Sequence, residues 1–213
     1  MDFAVALDGP AASGKGTLAV RLGASFDLPV LDTGKLYRAV GVTLRASGGD
    51  PRDSGAAEAV ARRLRLSALS ELDLDGAEAG ELASQVAVHA EVRAALFTLQ
   101  REFGLQPGGA ILDGRDIGTV ILPEAPAKLF VTASPEARAL RRWRQLAARD
   151  PSLPLEVVLA DIRLRDQRDS GRAAAPLKAA PDAVLLDTTD MDIEQAFDAA
   201  RRIVETARDR WRS

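Results

Sequence analysis

Apolar residues gather in five short continuous runs: FAVALD (3–8), LPVLDT (28–33), GAILDG (109–114), AKLFVTA (127–133) and AVLLDT (183–188). They do not alternate with polar positions, which is the pattern of strands covered on both faces. Stretches with helical periodicity lie between them. Strand, helix, strand in that order predicts an α/β fold: a five-stranded parallel sheet with helices on both faces. Four of the five runs carry Asp as their last or next-to-last residue. The carboxyl ends of strands are where open parallel sheets bind ligands.

Two interruptions break the regular order. Residues 35–93 are far longer than one crossover needs. They hold helical stretches, a small hairpin expected in LRLSALSELDLDG (64–76) and a helix expected over about 80–103. Residues 136–172 read as two Arg-loaded helices around the turn RDPSLP (149–154). The expected organisation is a core of 1–34 and 94–213, an insertion of 35–93 and a short helical lid of 144–160, both insertions able to move as lids. The chain has no internal repeat and no low-complexity linker.

Composition narrows the chemistry mainly by exclusion. The 213 residues carry a net charge of −3, so the molecule as a whole is no match for nucleic acid. Its positive charge is mostly Arg, since Lys occurs only at 15, 35, 128 and 178. Arg presents a planar donor fork suited to phosphate and carboxylate. With no cysteine, disulfides, thiol catalysis and Cys-based metal sites are excluded. His89 is the only histidine, which excludes His clusters and His-dependent triads. No apolar run approaches a membrane span and the N-terminus lacks a signal-peptide pattern, so a cytoplasmic protein is expected.

The first strand runs into Gly9-Pro10-Ala11-Ala12-Ser13-Gly14-Lys15-Gly16-Thr17, and a helical pattern follows. Strand, Gly-rich turn, Lys and helix together form the context of a phosphate-binding P-loop. Small residues let successive backbone N–H groups converge on phosphate oxygens. The helix N-terminus adds partial positive charge, and Lys15 adds a full one. Gly16 stands where the motif G-x-x-x-x-G-K-[ST] has its hydroxyl, and Thr17 comes one later. A plain Gly-rich turn explains the small residues but not the Lys. GTPases read guanine with an Asn-Lys-x-Asp loop, and this chain has no asparagine. A small-molecule kinase fits the length and the two insertions.

Four further stretches carry polar groups where neutral ones would serve: LDTGKLYRAV (31–40), SQVAVHAEVR (84–93), LDGRDIGTVILP (112–123) and RDQRDSGR (165–172). Gly114 is expected to let Arg115 and Asp116 protrude from a strand end. On a helix, spacings of four and three put Arg165, Asp169 and Arg172 on one face. An ion-paired solvated face would show the same spacing.

In order, the phosphate loop, DTGKLYRA, SQVA with its following Arg, LDGRDIGTVILP and RDQRDSGRAAAPLKAAPDAVLLDTTDMDIEQ closely resemble the bacterial cytidylate kinases of the nucleoside monophosphate kinase group. The resemblance covers nearly the whole chain. It implies a P-loop NTPase fold with a monophosphate-binding insertion, a monomer, and the reaction ATP + (d)CMP = ADP + (d)CDP with Mg²⁺. Nucleotides, not nucleic acid or membrane, are the implied partners. Residues 9–17 would hold ATP, with Mg²⁺ near Thr17. Ser84, Arg93 and Asp116 would contact cytosine, Asp116 accepting from the N4 amino group. Arg165 and Asp169 would hold the sugar, and Arg38, Arg115 and Arg172 the phosphate; Thr33 joins the substrate set. Lys15, Arg115, Arg165 and Arg172 are the implied catalytic residues. The lid-side Arg138, Arg141, Arg142, Arg149 and Arg168 are candidates for a transition-state clamp, and TTDMD after Asp187 resembles the family's adenine-side loop. One departure lies in the insertion, where GAEAGELASQ (76–85) replaces a longer β-rich segment with an Arg-Thr-x-Glu-Val stretch. A kinase of this fold acting on UMP, AMP or shikimate, or a P-loop switch with no acceptor, are the alternatives.

Overall fold

The structure is a computed structural model that describes residues 2–148 and 150–213, with only the backbone of Ala77. Its strands are β1 (Ala4–Asp8), β2 (Val30–Asp32), β3 (Ala110–Gly114), β4 (Ala127–Thr132) and β5 (Val184–Asp187). Its α-helices are α1 (Lys15–Phe26), α2 (Thr33–Ala46), α3 (Ser54–Arg63), α4 (Ala77–Val86), α5 (Ala90–Gly104), α6 (Pro135–Ala147), α7 (Leu155–Gly171) and α8 (Ile193–Arg212). A 3₁₀ helix (Leu66–Glu71) and a π-helical turn (Ile117–Ile121) complete the set. The sheet is parallel with order β2-β3-β1-β4-β5, so the strand feeding the phosphate loop is central.

The chain divides into two compact units, Met1–Leu31 with Arg101–Ser213, and Asp32–Gln100. In the first, Phe3 together with Val5 and Leu7 of β1 packs with Leu18 and Leu22 of α1 and with Ala196, Ala200 and Val204 of α8. The four-residue spacings on both helices place those side chains on one face of each. Residues Ala4, Ala6 and Asp8 alternate to the other face, where Asp8 meets the π-helical turn. Helix starts are capped: Ser134 accepts from Ala137 N–H ahead of α6, and Asp192 with Gln195 forms a capping box for α8. In the second unit α2 packs against α3 and α4. Among the described residues, no helix is long and apolar enough to cross a membrane.

Three expectations change. The hairpin of 64–76 is instead a 3₁₀ turn between extended residues. Its backbone bonds locally, Ala68 N–H to the Arg65 carbonyl at 3.1 Å, and Ser70 Oγ donates to the Ser67 carbonyl at 3.2 Å. Leu66, Leu69 and Leu72 recur at the three-residue period of such a turn. Second, the single helix over 80–103 is two. The chain breaks at Ala87–His89, where His89 Nε2 donates to the Pro51 carbonyl at 2.8 Å and the His89 carbonyl accepts the Arg93 N–H at the start of α5. Third, the β5 run is not covered on both faces: β5 is an edge strand, and Val184 and Leu185 are exposed.

Candidate active site

The phosphate loop leaves β1 through Gly9. A side chain there is sterically barred, because a Cβ would lie 1.9 Å from the Val131 carbonyl oxygen. Gly14 takes a left-handed φ of 94° directly ahead of α1, and Ala12 takes one of 59°. Alternation of this kind turns successive N–H groups to one side, forming an anion nest at a helix N-terminus. Ser13 and Lys15 are buried. Lys15 Nζ lies over its own loop, donating to the Pro10 carbonyl at 2.9 Å, with Asp113 Oδ1 at 3.8 Å. The loop is therefore cross-linked by its own cation.

Two carboxylates not singled out in the sequence stand beside it. Asp113, at the end of β3, is buried with one oxygen near Lys15. A Cβ on Gly16 would lie 3.5 Å from its Oδ2, so it borders the first turn of α1. Asp8 ends β1, and its two oxygens accept the N–H groups of Ile117 at 2.8 Å and Gly118 at 2.7 Å. Burial, with a smaller push from Asp116, outweighs the two amides and Lys15 and raises its carboxyl to about 7. The signal for both was in the sequence, as Asp at strand ends, but so many strand ends carry one that no single residue stood out.

In the same unit the arginines of LDGRD and RDQRDSGR converge. Asp169 of α7 is only 5% exposed and accepts from Arg115 Nε at 3.0 Å. Burial alone would raise its carboxyl, yet Arg115, Arg165 and Arg172 together hold it below the usual range. Arg172 caps the end of α7 and donates to the Ala175 carbonyl at 3.0 Å. This is a cationic cluster around one carboxylate, concentrated where water is scarce. Asp116 does not protrude as expected: it is buried, because the chain turns inward at once and the Asp116 carbonyl accepts Val120 N–H at 2.8 Å and Ile121 N–H at 3.2 Å in the π-helical turn.

The second unit carries its own polar set. Thr33 is buried at the first turn of α2. One turn on, Arg38 donates to Asp32 Oδ2 at 2.6 Å. Arg93 of α5 is buried with its guanidinium 5.7 Å from the centre of the Tyr37 ring. Ser84 of α4 is 4% exposed, and among the described residues its Oγ has no hydrogen-bond partner. A buried hydroxyl left so is costly unless a water or a ligand meets it.

The lid-side arginines divide. Arg138 is 3% exposed, with a bidentate bond to Asp166 at 3.0 and 2.6 Å and further donations to the Ala133 and Ala11 carbonyls at 2.8 and 3.3 Å. It is built into the scaffold beside the phosphate loop, with Nε, Nη1 and Nη2 each held by a protein oxygen. Arg141 donates to the Thr188 hydroxyl at 3.0 Å and to its carbonyl, and that hydroxyl lies 3.2 Å from the Ser13 carbonyl. The TTDMD turn is thereby fastened to the phosphate loop. Arg149 lies outside the described residues.

Residues 5–206 match the family model described as cytidylate kinase. A cytidylate kinase of Caulobacter sp. (strain K31) is 64% identical over 99% of this chain and 98% of its own. One of Caulobacter vibrioides (strain NA1000 / CB15N) is 60% identical over 100% of each chain. Among solved structures, an uncharacterized protein from Eubacterium ventriosum ATCC 27560 superposes with a TM-score of 0.55 at 11% identity, over 98% of this chain and 99% of that one. That likeness extends to the fold alone.

Proposed function

The chain belongs to the cytidylate kinase family, and from that premise we propose how its residues divide the transfer of a phosphoryl group from ATP to CMP and dCMP. It is a phosphotransferase, and the reaction asks for little covalent work from the protein. Positioning and charge stabilisation carry it. Residues 9–17 cradle the donor phosphates through backbone N–H groups. Lys15 moves from the Pro10 carbonyl onto the phosphate chain and stays with the transferring group as charge builds on it.

The acceptor is held by side chains. Arg38, Arg115 and Arg172 take the CMP phosphate, with Thr33 five residues before Arg38 on α2. Arg165 and Asp169 hold the sugar. Ser84, Arg93 and Asp116 read cytosine, the carboxylate accepting from the N4 amino group that uracil replaces with an oxygen. The guanidinium groups offset repulsion between the two anions, which is the main obstacle to bringing them in line. No residue is assigned as an essential general base.

The oxygens present suit Mg²⁺. Asp113 offers one carboxylate at the edge of the α1 N-terminus, and Thr17 a hydroxyl on its first turn. Few protein ligands are needed, because Mg²⁺ is held largely by substrate phosphates and water. When bound, it would supply charge neutralisation to the donor phosphates.

The observation that carries this reading is the cluster of Arg115, Arg165 and Arg172 around buried Asp169, in the unit that also carries the phosphate loop. A non-catalytic nucleotide switch has no use for it. The test is a coupled assay of ADP release against the common ribo- and deoxyribonucleoside monophosphates. CMP and dCMP are expected to show the highest kcat/KM. Preference for UMP or AMP, or ATP binding with no turnover on any acceptor, would sink the reading.

A further inference from the structure

Asp8 has no part in the assignments above, yet its surroundings are specific. It is 3% exposed, and each carboxylate oxygen accepts a different backbone N–H, from Ile117 and from Gly118. Those are the two amides immediately after Asp116. Gly118 fits closely against it: a Cβ there would lie 3.3 Å from Asp8 Oδ2 and 3.2 Å from Lys128 Cδ. Only a carboxylate serves two adjacent amides in this way. Asparagine offers one acceptor oxygen and turns an NH₂ group toward the second N–H. A buried acid is also a costly choice for plain packing, since desolvation penalises its charged form.

We propose that Asp8 is a positioning residue for selection of the acceptor base: by gripping the Ile117 and Gly118 amides it sets the backbone from which Asp116 meets the N4 amino group of cytosine. The inference rests on the assignment of Asp116 above and goes beyond it. The bond crosses between two neighbouring strands, from the end of β1 to the segment following β3. It ties the residue just ahead of the donor loop to the residue that reads the acceptor base. Displacing a carboxylate by about 1 Å is enough to weaken a discriminating hydrogen bond severely. Burial and the nearby Asp116 push the Asp8 carboxyl up while the amides hold it down, so the two acids are close enough to feel each other.

The test compares kcat/KM for CMP and UMP in the wild type, Asp8→Asn, Asp116→Asn and Gly118→Ala, each with its thermal midpoint. Asp8→Asn is expected to lower the CMP/UMP ratio by roughly 10-fold, the scale of one lost discriminating contact, mainly through a higher KM for CMP. The KM for ATP should stay within about 2-fold, well below one such contact. Gly118→Ala alters no charge but presses on the same carboxylate from the other side, and it should move the ratio in the same direction. It decides the matter alone if Asp8→Asn does not fold. If Asp116→Asn lowers the ratio while Asp8→Asn and Gly118→Ala do not, the proposal is overturned and the Asp116 assignment stands. If Asp116→Asn leaves the ratio unchanged, both fail together. A KM for ATP that rises as much as that for CMP assigns Asp8 to the donor loop and also overturns it.

Discussion

The phosphate loop and the Asp169 cluster, which we propose hold the donor and the acceptor phosphates, are built from opposite materials. The loop uses backbone N–H groups, left-handed turns at Ala12 and Gly14, and one Lys. The cluster uses three guanidinium groups around a carboxylate, brought together from β3 and the end of α7. Their buried acids respond accordingly. Asp8, among amides and near another acid, is pushed up to about 7, while Asp169, among arginines, is held below the ordinary range. A main-chain cradle is rigid and needs few charges. A side-chain cluster is selective, but it has to hold its own like charges together with an acid at the centre.

If that contrast is right, the donor site should be sensitive to one charge and the acceptor site to its network. Lys15→Met is expected to cut kcat by about 10³ or more, the scale of lost charge stabilisation at a transition state. Near-normal turnover would mean the cradle works without its cation. A smaller effect is expected from Asp169→Asn, which leaves Arg115, Arg165 and Arg172 uncompensated. Here kcat/KM for CMP should fall by about 10- to 100-fold, as for one or two charged hydrogen bonds, with the KM for ATP little changed. A parallel loss in both substrates would erase the distinction between the two regions.

The smallest effect is in the pH dependence of stability. A carboxyl whose folded pKa is raised stabilises fully below its unfolded value, and that contribution is lost as pH rises through the folded one. Relative to Asp8→Asn, the wild type should therefore lose stability between about pH 4 and 7. A carboxyl held low behaves in reverse: its contribution is present above the unfolded value and lost as pH falls. Relative to Asp169→Asn, the wild type should lose stability only as pH drops below about 4. Denaturation midpoints of the three proteins across that range check the sign; parallel curves would show that neither acid senses its surroundings as described.

Much of the fold was legible because its signals are local. The five apolar runs became the five strands, and residues 150–154 of the expected turn do lie between α6 and α7. Failures came where hydrogen bonding, local in one case and distant in the other, overrode the pattern. The leucines of 64–76 suited a strand, but their backbone bonds closed on themselves, and the helix over 80–103 broke where His89 reached the Pro51 carbonyl. The arginines of the lid looked alike in sequence. Only the fold separates Arg138, buried on Asp166, from its neighbours.

The sequence by itself determined the parallel sheet and the nine-residue Gly-rich loop with its Lys, since such a loop contains within itself the pattern of a phosphate nest. Only the tertiary structure decided that Asp8 grips amides 109 and 110 positions away and that Arg115 pairs with Asp169 across 54. The physical reason is distance along the chain: a main-chain nest forms between neighbours, whereas a buried charge gains its partner, and its altered acidity, only when folding closes the loop between them.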